Sequence, residues 1–242
     1  MPDYIHWDTW LGSSPVYPYN GVYFYSGNWR CFNMFGAGGL GDMGCHTFNM
    51  AVYVLDLDWP SEIQVVSDRA YQYSYPENGF ELIYTFAATD KRGPVKLRYF
   101  CGGHKPPHPE QLEPAREMGS NMGGSILFGS KQTLMTDSHC KRSVIIPEAN
   151  RRAIVEDLKQ YRPQNFGRGT HYGNWMQALK GEGTCRSNFQ YASRLTEIVL
   201  LGDIASRLNR TLKLDPATRT IIGDEQAQAM MIAAPARDGW AL

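Results

Sequence analysis

The links between the strand-like runs constrain this chain most. Residues 62–75, 80–88 and 95–101 alternate apolar and polar side chains at the period of a half-buried strand. They are joined by PENG at 76–79 and by a link built on DKRG at 90–93. A parallel pair needs a crossover of roughly a dozen residues or more, so links this short and turn-rich predict antiparallel hairpins. Residues 124–129 and 132–136 read as another hairpin turning at 129–131, with 144–146 as a further strand and 211–214 as a last one. Helical patterns cover 42–55, 148–161, 170–179 with Thr170 as N-cap, 188–208 and 224–231. Strands run together and helices run together, which predicts an α+β fold: an open-faced, mostly antiparallel β-sheet with helices packed on one face. The strands carry apolar side chains at both parities (Leu82, Ile83, Tyr84; Tyr99, Phe100), so the second face is expected to be covered by another domain or by a second copy, giving a homo-oligomer through the sheet.

Composition narrows the function classes. With 24 basic and 24 acidic residues in 242, no general electrostatic attraction to nucleic acid or an anionic membrane arises. No segment approaches a transmembrane length, and the first residues, MPDYIHW, lack a signal-peptide pattern. Five scattered cysteines (31, 45, 101, 140, 185) argue against a disulfide scaffold and fit a reduced compartment, which favours the cytoplasm. The chain reads as a single domain over 1–242, with no internal repeat.

The densest chemistry lies in residues 35–50, FGAGGLGDMGCHTFNM. Gly36, Gly38 and Gly41 spell G-x-G-x-x-G, but that fingerprint has meaning only between a buried strand and a helix inside a βαβ unit. Residues 28–34 are no such strand, so the glycines are expected to form a loop that places a helix N-terminus. Asp42 and His46 then fall one turn apart on one helix face. A carboxylate beside an imidazole fixes its tautomer and suits it to proton transfer. The commoner meaning of D-x-x-x-H is structural, with Asp42 capping the helix and His46 packed.

Elsewhere, residues 1–34 are an aromatic entry loop (Trp7, Trp10, Tyr17, Tyr19, Tyr23, Trp29) punctuated by Gly and Pro. Its rings could stack on sugar faces or pin the loop to the body of the domain. Arg30 is a candidate donor to a hydroxyl or carboxylate. Residues 102–123 form a Pro-rich loop; Cys101, His104 and His108 match no standard zinc spacing, and no metal is expected. His171 and Trp175 fall one turn apart on the helix that follows Thr170.

These motifs together resemble the C-terminal domain of the Gfo/Idh/MocA oxidoreductase family, bacterial type. The resemblance is carried by WDTWLG at 7–12, YPYN at 17–20, NWR at 28–30 and GGLGDMGCH at 38–46. Further on it is carried by GGHKPP at 102–107, THYGNW at 170–175, residues 185–201 and the closing Gly239-Trp240. It implies a two-domain enzyme, a Rossmann domain binding NAD or NADP followed by a substrate and oligomerisation domain, of which these residues are the second part alone. The catalytic lysine of the family's Glu-Lys-Pro motif has no counterpart here, and the N-terminal Rossmann domain becomes an expected partner. By the same resemblance His46 moves the proton of a substrate hydroxyl while hydride passes to nicotinamide, and Asp42 orients it. One departure stands at residue 49, where Asn replaces the Asp often found three residues after the histidine.

The resulting expectation is the substrate-binding domain of an NAD(P)-dependent oxidoreductase acting on a sugar, polyol or related secondary alcohol. Asp42 and His46 are its proton-transfer pair, with Tyr19, Trp29, Arg30 and His171 as substrate contacts, and the isolated chain is expected to be inactive. Two alternatives stand beside it: a stand-alone carbohydrate-binding or assembly module, and a domain of an NAD-recycling glycosidase. An export signal ahead of residue 1 would move the protein to the periplasm.

Overall fold

The structure is a computed structural model that describes residues 1–66, 79–160 and 171–240, the side chains of 24–26 excepted. In chain order it contains helices α1 (Trp7–Leu11) and α2 (Gly21–Phe24), a 3-10 turn at Tyr25–Cys31, α3 (Gly38–Thr47) and α4 (Asn49–Val54). Strands β1 (Glu62–Val66), β2 (Phe80–Phe86), β3 (Val95–Cys101), β4 (Gly124–Phe128), β5 (Thr133–Asp137) and β6 (Val144–Ile146) follow. Then come α5 (Glu148–Lys159), α6 (His171–Leu179), α7 (Phe189–Leu208), β7 (Leu212–Asp215), β8 (Thr220–Ile222) and α8 (Glu225–Ala229). Two compact units result: Met1–Cys45 with Leu57–Pro106 and Glu197–Leu242, and His46–Asp56 with Pro107–Thr196.

The first unit is built on an antiparallel sheet of order β3-β2-β1-β7-β8. Because strand side chains alternate, the register sorts them cleanly. Ile63 stands opposite Tyr84 and Leu212, Leu82 opposite Tyr99, and Leu214 opposite Ile221, so these line one buried face. The C-terminal part of α7 covers it: Gly202 sits against Tyr84 and Leu82, where no larger residue fits. Gly44 of α3 approaches Val199 of α7 so closely that a Cβ there would lie 2.9 Å from a valine methyl. The opposite face carries Ile83, Phe100 and a 2.6 Å ion pair between Glu81 and Arg98. The fold is therefore α+β, with open antiparallel sheets, as the element order predicts.

The second unit has a sheet of its own, β4-β5-β6, also antiparallel. The sequence suggests one sheet for all strands. Residues 124–146 instead form a separate one, because they close over their own apolar cluster of Leu112, Met135 and Ile146. Helix α5 begins after Pro147, which cannot cap it with a side chain; the Glu113 carboxylate accepts the Glu148 N–H at 2.8 Å instead. Asn188 caps α7 through the Tyr191 N–H at 2.9 Å.

Three local expectations change. The helix expected over 42–55 starts earlier, at Gly38, and breaks at Phe48 into α3 and α4. The break falls where the Thr47 carbonyl accepts the Ser125 hydroxyl at 2.5 Å. Glycines 38, 39 and 41 lie inside the first turns of α3 rather than in a loop before it. The entry segment is not loop throughout, since α1, α2 and the 3-10 turn occupy much of it. Its rings hold it: Trp7 stacks on Trp10 at 4.7 Å, Tyr19 stands edge-on to Trp7, and Phe35 meets Trp10, Tyr17 and Tyr23. The last strand pairs with β8, a strand that the sequence reading leaves unassigned. The part of the first predicted strand beyond Val66, most of the turn at 76–79, the loop at 162–169 and the Thr170 cap lie outside the described residues.

Candidate functional site

In the first unit, the 3-10 turn and the second turn of α3 bring two sequence-predicted residues together. Arg30 donates from Nε to Oδ1 of Asp42 at 2.7 Å. The guanidinium also lies over the Trp29 ring, 4.6 Å from its centroid, a cation–π contact that fixes its plane. Gly36 makes the approach possible: a Cβ there would fall 2.8 Å from both the Cα and the carbonyl oxygen of Arg30. One glycine of the apparent fingerprint thus serves backbone packing against Arg30. Trp29 further lines a cavity of about 440 Å³ with Trp10, Ser13, Ser14 and Phe35. Tyr19 is placed in the stacked aromatic group through Trp7.

Asp42 is no cap, because α3 begins a full turn before it, and neither Asp42 nor His46 is buried. The two lie one turn apart on α3, and the ion-pair partner of Asp42 is Arg30.

In the second unit, His46, in the last turn of α3, has its ring 5.1 Å from that of His139, tilted by 40°. His139 lies in the turn after β5, and its Nδ1 is 3.0 Å from the hydroxyl of Ser138, which is only 1% exposed. The Asp137 carboxylate accepts the backbone N–H groups of His139 and Lys141, which shapes that turn. Sequence reasoning misses His139, since no spacing rule links it to His46; only the topology joins them. His171 stands exposed on α6, edge-on to Tyr172 with ring centroids 6.1 Å apart, while the ring beside His46 is that of His139.

The family model described as "Oxidoreductase family, C-terminal alpha/beta domain" matches residues 1–87 and 149–242. The chain belongs to the Gfo/Idh/MocA oxidoreductase family. No curated protein sequence matches it. The matched residues of this Gfo/Idh/MocA domain include Arg30, Asp42 and His46, while 88–148, with His139, fall in the unmatched interval.

Members of the family are typically NAD(P)-dependent, so the glycine run must be tested as a cofactor cradle. It does not fit one. The residues before α3 are 3-10 and turn, no strand leads into the helix, and the sheet that follows is antiparallel. Among the described residues no group of three or more His, Cys, Asp or Glu side chains could hold a metal ion. The departure at residue 49 has a structural meaning. The Tyr191 hydroxyl donates to the Asn49 side-chain oxygen at 2.5 Å, tying α4 to α7.

Proposed function

We propose that the chain is the substrate-binding domain of an NAD(P)-dependent oxidoreductase that acts on a sugar, polyol or related secondary alcohol. The observation that carries the reading is the Arg30–Asp42 pair. It is made through Nε and Oδ1, and the two side chains keep 40% and 43% exposure, so the pair still faces solvent from which hydroxyls can approach. A fixed donor beside a fixed acceptor matches the vicinal diol of a sugar or polyol, and Trp29 offers an apolar ring beside them.

His46 is the proton acceptor for the reacting hydroxyl in this reading. Its ring is accessible, it sits at a helix end, and neutral imidazole accepts a proton near physiological pH. Asp42, one turn earlier on the same helix, supplies negative charge that Arg30 holds in place. The nicotinamide cofactor is bound by a nucleotide-binding domain outside these residues, and the open sheet face is the surface for a second copy. Binding, orienting and deprotonating the alcohol are the tasks of this chain.

The test is oxidation of a polyol panel by the enzyme that contains these residues, with NAD and with NADP. His46→Asn is expected to lower kcat by about 100-fold or more, in the range for loss of a general base. Arg30→Ala is expected to act chiefly on KM. The 242-residue chain alone should bind polyols, read as shifts of the Trp29 indole resonance, without turning them over. Full activity of the His46→Asn enzyme would overturn the assignment. Binding of polyols with no redox activity under any condition would replace the enzyme reading with that of a carbohydrate-binding module.

A further inference from the structure

The His46–His139 contact is not explained by packing, since both side chains are exposed. It is nonetheless held in place from both sides. On the α3 side, the residue after His46 is tied to β4 by the Ser125–Thr47 hydrogen bond. On the other side, Asp137 gathers the N–H groups of His139 and Lys141, and the buried Ser138 hydroxyl meets His139 Nδ1. With Nδ1 engaged, Nε2 is the ring nitrogen of His139 left for proton exchange, whichever way the Ser138 bond runs.

We infer that His139 is a positioning and proton-relay residue for His46, the two imidazoles acting as one coupled protonation site. Two rings this close repel when both carry a proton, so a proton on one disfavours a proton on the other. As a relay the device rests on the reading of His46 as the group that accepts the substrate proton. The proton taken from the alcohol oxygen makes His46 an imidazolium. It then passes by way of solvent between the two accessible rings to the neutral His139, which returns it to bulk water and leaves both rings neutral for the next turnover. Along the chain, the titratable groups that flank the two histidines are Asp42 and Cys45 earlier on α3, and Asp137, Cys140, Lys141 and Arg142 on the turn. Asp137 is engaged with backbone N–H groups, and Asp42 with Arg30. His139 and its turn do not follow from the family match, which leaves 88–148 uncovered.

The experiment is an NMR pH titration of the 242-residue chain with ring-labelled histidines, six in all, assigned by substitution. In the wild type, protonation of His46 and protonation of His139 are expected to depend on each other, the signature of coupled sites. His139→Asn is expected to change the protonation curve of His46, and His46→Asn that of His139. Ser138→Ala should change the tautomer ratio of His139, read from its ring 15N shifts, while the amide spectrum keeps the folded pattern. Protonation curves of both histidines unmoved by either substitution would overturn the inference. The readout needs no turnover, so coupled titration together with full activity of His46→Asn would overturn the proposed function and leave the coupling standing.

Discussion

Gly202 of α7 lies directly against the Tyr84 hydroxyl of β2, so that a methyl group at residue 202 would overlap the phenol oxygen and meet Leu82 Cδ1 at 3.0 Å. The helix contributes no side chain there, and its backbone rests on the Tyr84 phenol and Leu82 of the sheet. Gly202→Ala is therefore expected to destabilise the protein by about 1–3 kcal/mol, the range for overpacking a tight core. Adding Tyr84→Phe removes the clashing oxygen and should restore part of that loss. Urea unfolding of the single and double variants measures both effects, and a Gly202→Ala protein as stable as wild type would show that α7 can shift off the sheet.

The same phenol sets an alkaline limit. Burial, with the nearby Asp203 carboxylate as a second cause, raises the Tyr84 pKa well above its ordinary value of 10.0. A tyrosine raised in the folded state favours folding below its unfolded pKa. That contribution declines as pH climbs past about 10, where the unfolded chain ionises first. Stability should fall above that pH in the wild type and fall less steeply in Tyr84→Phe. Thermal midpoints across the alkaline range, with phenolate absorbance recorded alongside, decide the point.

Arg30 and Asp42 separate stability from function. Their pair is exposed, and such pairs contribute about 0.2–1 kcal/mol. Arg30→Ala should move the urea midpoint by no more than that. Gly36→Ala should be worse for the site than for the fold, because its Cβ would push on the Arg30 backbone and draw the guanidinium from Asp42. The expected sign is weakened polyol binding in both variants, measured calorimetrically.

At the acid end, Glu148 in the first turn of α5 has its pKa lowered to about 2, chiefly by its hydrogen bond from Arg151. Glu113 is lowered as well, first by accepting the Glu148 N–H. A depressed carboxylate supports the fold above its unfolded pKa and loses that support as pH falls through the folded one. The start of α5 should stay protected from amide exchange above about pH 4.5 and lose protection on acidification toward pH 2. Glu113→Gln should weaken that protection already at neutral pH. Unchanged exchange in Glu113→Gln would remove the long-range cap from the account.

What could be read from the residues alone follows a physical divide. β3 and β6 fall on their predicted limits and β2, α5, α6 and α7 within a few residues, because period and turn chemistry are local signals. The placement of Asp42 and His46 one turn apart on a helix was legible for the same reason. The partition of the strands into two sheets was not, since the pairing of β1 with β7 and the private core beneath β4–β6 are set by contacts distant in sequence. Glycines misled in two ways. Gly38, Gly39 and Gly41 look like loop formers and lie in α3, whereas Gly44 and Gly202 have their meaning only once a second element lies against them. Arg30 was legible as a donor but its partner was not, and His139 carried no local mark at all.

The near-parallel stacking of Trp7 on Trp10, with planes 11° apart, has an optical consequence. Two indoles so arranged share their electronic excitation, and any skew between their transition moments within the stack splits the far-ultraviolet circular dichroism of tryptophan into a couplet of opposite signs. Both indoles lie in the segment that also carries Trp29 and Arg30. The molecule therefore has a built-in spectroscopic gauge of that segment, readable without any label and able to follow its order while ligand is added.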